Sequence, residues 1–155
     1  MPSPITTLRD EQQLITSLVG LMQQEQQFLV SADSDGLTTI TQQKSTLVLQ
    51  MAALASQRHQ ALGAAGFPAR EAGMEDWLAS CNDDAARTAW LALLERTREA
   101  KELNRVNGML INKQMANTQV VLNAMRTPAG GAEAGVYGPS GQTTAGGPSR
   151  RFVVG

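Results

Sequence analysis

The chain has 155 residues, 42% of them hydrophobic and only 4% aromatic, with 13 basic and 14 acidic side chains for a net charge of −1. That length suits one aliphatic-cored domain, the near-neutral balance lacks the dense basic patch of a nucleic-acid reader, and no run approaches the roughly 20 apolar residues that membrane insertion needs. The single cysteine, Cys81, has no partner for an internal disulfide, and no charged-then-apolar leader opens the chain, so a cytoplasmic setting is expected.

Gln, Ala, Leu and Met dominate the first four-fifths of the chain, and alternating runs of Val, Ile and Tyr are missing, which points to an all-α fold. After "PSP", with Thr6 or Thr7 as the expected cap, apolar residues at Leu8, Ile15, Leu18, Met22 and Leu29 keep a seven-residue beat that Glu11 and Glu25 interrupt. This spacing predicts one amphipathic helix over residues 7–31. "SADSDG" supplies turn formers and capping carboxylates. Beyond it Leu37, Ile40, Leu47, Met51, Leu54 and Leu62 predict a second helix ending near 62, with Lys44 and Arg58 at two of its stripe positions. The short connection makes the pair an antiparallel hairpin.

"GAAGFP" breaks the pattern, and "REAGMEDWLASC" is long enough only for a short helix around Met74–Ala79, pinned by Trp77 and Leu78. Asn82 or Asp83 then caps a long third helix whose apolar positions persist from Trp90 to Met125, with Pro128 ending it. From residue 127 the character changes: eight glycines and three prolines in 29 residues leave too little apolar surface to offset the entropy of ordering. The expected architecture is therefore an elongated three-helix bundle or coiled coil over residues 1–126 and a disordered, Gly/Pro-rich tail over 127–155. Such a tail has an end-to-end distance of about 30 Å. It belongs to a mildly cationic end: residues 103–155 hold 5 basic and 1 acidic side chains, against 8 and 13 in residues 1–102, an asymmetry that suits an interaction arm.

Length separates the helices. At 1.5 Å per residue the second is about 42 Å long and the third about 65 Å, so cover from the hairpin is expected to run out near Ile111, leaving about 22 Å of helix that carries Met115, Val121, Leu122 and Met125. An apolar stripe gains nothing in water, so these residues want a partner or a longer core. Directly upstream, "ELNRVNGMLINKQMAN" holds four asparagines and a glycine, which on intrinsic propensity cost roughly 3–4 kcal/mol against alanine. Asn104, Asn107, Ile111, Gln114 and Thr118 share one face, either as a seam that selects one register or as a solvated surface.

Catalytic chemistry has little to work with. His59 is the only histidine, no GxSxG, HExxH, Walker or CxxC motif occurs, and Glu95, Glu99 and Glu102 lack the Glu-x-x-His partners of a di-iron bundle. We expect no enzyme, no cofactor and no metal. His59, near the end of the second helix, suits the helix dipole or solvent.

The Leu/Gln-rich hairpin with "EQQFLVSADSDGLTTITQQKSTLVLQM", the long helix with "LNRVNGMLI" and the tail with "YGPSGQT" together resemble the FlgN family of flagellar export chaperones. The resemblance implies a cytosolic chaperone that binds the C-terminal amphipathic helix of hook-filament junction (hook-associated) proteins, prevents their premature assembly and delivers them to the flagellar type III export gate. It implies a helix-docking role for Asn107, Leu110, Ile111, Gln114, Thr118, Val121, Leu122 and Met125. It also implies that Tyr137 engages the cytosolic domain of the export gate, where a tethered aromatic gains from its high local concentration. The terminal "RRFVVG" matches no motif. The competing expectation is a self-assembling coiled-coil adaptor with no secretion role, in which the same stripe forms a homodimer in the absence of substrate.

Overall fold

A computed structural model describes residues 2–126 of the chain. Among these residues the secondary structure is wholly helical: α1 (Leu8–Ser31), α2 (Ser34–Ala64), α3 (Ala72–Cys81) and α4 (Asp84–Arg126). The expected hairpin, short helix and long helix are all present. The tail beyond residue 126 lies outside the described residues, and so does the expectation of disorder there.

Local chemistry accounts for the boundaries. Thr7 precedes α1 but does not cap it through its side chain: its backbone is already helical, and its hydroxyl donates to Glu11 Oε1 at 2.7 Å. The cap expected from Thr6 or Thr7 is thus redirected to a buried carboxylate that needs a donor. Ala32 ends α1 in the left-handed region, φ 56°, and Asp33 follows immediately as the cap of α2, accepting from the Gly36 N–H at 2.9 Å. At the next junction Asn82 takes the left-handed position after α3, φ 50°, while Asp83 accepts from the Ala86 N–H at 3.0 Å to cap α4. The two candidate caps thus divide the work of stopping one helix and starting the next. The loop before α3 closes tightly onto it: a Cβ on Gly73 would stand 2.0 Å from the Pro68 carbonyl oxygen, so only glycine fits.

The chain falls into two units, residues 1–111 and 112–155, divided within α4. The first holds the core. Ile15, Leu18 and Met22 of α1 meet Met74 and Leu78 of α3 and Trp90 of α4, all buried. Each such side chain contributes about 1.5–3 kcal/mol of burial relative to exposure. Met74 and Leu78 are the buried anchors of α3, and Trp77, half-buried, packs against the same core as expected. Helix α2 is buried at its ends, through Ile40 and Leu62, but Leu47, Met51 and Leu54 between them are only half-buried. Its 31 residues make about 46 Å and the 43 of α4 about 64 Å, close to the lengths expected.

Candidate partner-binding face

The charged residues that interrupt the apolar stripes of the hairpin are what align it. Arg58 meets Glu11 as a bidentate pair, Nε to Oε1 and Nη2 to Oε2, both at 3.0 Å, with the two side chains 3% and 4% exposed. Two heptads along, Lys44 Nζ sits 3.0 Å from both oxygens of Glu25. Glu11 precedes Glu25 on α1 as Lys44 precedes Arg58 on α2, with the same spacing in the opposite direction. Only one antiparallel register satisfies both pairs, and a slip leaves two carboxylates buried without partners.

Helix α4 reads that register from the side. The Arg58 guanidinium lies 4.8 Å over the centroid of the Trp90 ring, whose Nε1 donates to Glu75 Oε1 at 3.2 Å. Further along, Asn107 Nδ2 donates to the Met22 carbonyl at 2.8 Å and to Glu25 Oε1 at 2.7 Å. Arg58 also binds Glu71, Nη2 to Oε1 at 2.9 Å, and the same oxygen lies 3.1 Å from His59 Nε2. His59 is therefore a contact between the end of α2 and the residue before α3. Burial lowers the Arg58 pKa, but the Glu11 and Glu71 carboxylates outweigh it and hold the guanidinium above its ordinary value. Burial raises the Glu71 carboxyl, and the Arg58 guanidinium beside it, with His59, more than reverses this and holds it below the ordinary carboxylate range.

Asn107 thus differs from the expectation that placed it on a docking surface. It is 1% exposed, its amide is committed to α1, and it anchors α4 within the first unit. The physical reason is Glu25, a buried carboxylate that one lysine does not saturate and that draws the amide inward. The helical repeat carries the face of Asn107 onward through Ile111, Thr118, Leu122 and Met125. Leu110 and Gln114 are half-buried and Thr118 exposed, while Val121, Leu122 and Met125 are 56%, 42% and 76% exposed. Met115, which the sequence also placed on the overhang, is exposed, and so are Met109 and Val120, so apolar surface extends around α4 beyond the residues named from the sequence. Met109 and Val120 had no sequence signal, because they fall off the main stripe. Tyr137 lies outside the described residues. Among the described residues no group of His, Cys, Asp and Glu is placed to hold a metal ion, and no helix is long and apolar enough to cross a membrane.

A helical body with an uncovered apolar end can be compared with known proteins over most of its length. The family described as "FlgN protein" matches residues 1–145. This chain belongs to the FlgN family. The flagella synthesis protein FlgN of Salmonella typhimurium is 30% identical over 133 residues, which cover 84% of this chain and 83% of the relative. The Salmonella typhi protein of the same name matches equally. No solved structure matches the chain. The FlgN match includes the exposed end of α4 and Tyr137 and stops before "RRFVVG".

Proposed function

We propose that this FlgN-family chain is a cytoplasmic export chaperone for hook-filament junction proteins. It covers their C-terminal amphipathic helix, which keeps them from assembling early, and delivers them to the flagellar type III export gate. Residues 1–126 form the chaperone part and residues 127–155 a tail whose Tyr137 engages the cytosolic domain of the gate. Leu110, Ile111, Gln114, Thr118, Val121, Leu122 and Met125 are the docking stripe, and Asn107 fixes its upstream end.

The observation that carries this reading is the exposure of Val121, Leu122 and Met125 on one end of a helix whose other end is packed. Enclosure of these three side chains within the chain would have left no surface for a partner helix. Burying Ile111, Val121, Leu122 and Met125 is worth at most about 6–12 kcal/mol. Association itself costs at least about 4 kcal/mol, so the balance gives a reversible complex, which suits a protein that must release its cargo.

The test is a double variant, Val121→Asp with Leu122→Asp. Charge in an apolar contact is costly, so junction proteins fail to co-purify with the variant while far-UV helicity and thermal midpoint hold. Undiminished co-purification rejects the stripe. Light scattering on the substrate-free chain separates the adaptor reading, which requires a dimer that the same double variant abolishes.

A further inference from the structure

A second concave surface lies wholly within residues 1–111. A cleft of about 600 Å³ runs between α2 and α4, with Ala52 and Ala55 on one wall and Leu94 and Thr97 on the other, and with Arg58 and Trp90 among the residues lining it. Met51, in the half-buried middle of α2, lines it as well. Two exposed large apolar residues stand one helical turn from its lining: Val48, one turn before Ala52, is 49% exposed, and Leu91, one turn before Leu94, is 53% exposed. The alanines on the α2 wall permit close approach, since the distance between packed helices is set by the side chains at the contact.

Charge narrows what fits. The carboxylates at one end of the cleft are already engaged, Glu71 by Arg58 and His59 and Glu75 by the Trp90 N–H and Arg87. Lys101 lines the other end, exposed, and has no hydrogen bond or ion pair among the described residues. We infer that this cleft is a second docking groove, which takes an acidic amphipathic helix from a partner protein. The helix lays apolar residues at i, i+4 and i+7 between Ala52 and Leu94 and sets an Asp or Glu carboxylate on Lys101. Packed there, it completes a four-helix arrangement that the chain alone leaves open on one side. The groove does not depend on the α4 stripe.

The test uses two synthetic peptides of roughly five helical turns, alike in a leucine face and differing only in Glu or Lys at the position over Lys101. Each is labelled and titrated with the full chain, read by fluorescence anisotropy. The Glu peptide is expected to bind at least about tenfold more tightly than the Lys peptide, and Lys101→Glu, a surface change, to reverse that order. Ala52→Leu with Ala55→Leu fills the groove and is expected to weaken the Glu peptide by about tenfold or more. Val121→Asp with Leu122→Asp removes whatever leucine-driven binding the α4 stripe supplies but leaves the Glu-over-Lys preference unchanged, because that preference is read at Lys101, so failure here and failure of the chaperone stripe are told apart. The inference is overturned by absent binding, by equal affinity for the two peptides, by loss of the preference in the Val121/Leu122 variant, or by retained preference in Lys101→Glu. A concentration-dependent dimer lost on filling the groove overturns it too, since the occupant is then a second copy.

Discussion

Asn107 belongs to the first unit and Met125 to the second, yet the polar residue is 1% exposed and the apolar one 76% exposed. The usual sorting of side chains is inverted, and the inversion shows what each end is built for. Around Asn107 the chain ties polar groups together internally: the Asn107 Nδ2, Glu25, Lys44 and the Met22 carbonyl form one hydrogen-bonded set, while the buried Asn107 Oδ1 has no partner among the described residues. Such a set gives little net stability, because desolvation offsets most of the attraction, but it penalises every other register. Around Met125 the apolar side chains of Val121 and Leu122 are exposed as well, and on the proposed reading a partner helix covers them.

If the upstream end is a register lock, removing one member must be expensive. Arg58→Ala strands Glu11 in the core and is expected to cost about 3–5 kcal/mol, read as a fall in the urea midpoint. Loss of under about 1 kcal/mol would show that water relieves the carboxylate and that the register is set by the apolar residues alone. Next in size, Asn107→Asp places a second carboxylate against Glu25 and is expected to destabilise by about 2–3 kcal/mol. Chemical denaturation at neutral pH measures it. A neutral outcome would mean that α4 swings free of α1 at this point.

The downstream end must behave oppositely. Val121→Asp with Leu122→Asp is expected to change unfolding free energy by no more than about 0.5 kcal/mol while junction-protein binding is lost. A large stability change would place these residues in a core. The smallest effect concerns acid. The Glu71 carboxyl is held below its ordinary value in the folded chain, so the stability it contributes is complete above the unfolded value of about 4.3 and is lost as pH falls through the depressed one. Glu71→Gln should therefore lower the thermal midpoint at pH 7 and shrink that difference on acidification. A difference independent of pH would assign Glu71 a packing role.

Much of this molecule was legible in one dimension. The spacing of Leu8, Ile15, Leu18 and Met22 marks α1, Asp33 and Asp83 mark where α2 and α4 begin, and "GAAGFP" marks where α2 ends, because helix period and terminal hydrogen bonding are local properties. The unequal lengths of α2 and α4 follow from the same pattern. Glu11, Glu25, Lys44 and Arg58 were visible as interruptions, but that they cancel in pairs was not, because pairing depends on the register between helices. Nor does spacing reveal that Asn107 turns inward or that the middle of α2 stays open. Periodicity says which residues share a face and is silent on what covers it. Cover comes from the distances between segments remote in the chain, and those arise only when α1, α2 and α4 settle against one another around buried charges that admit one arrangement.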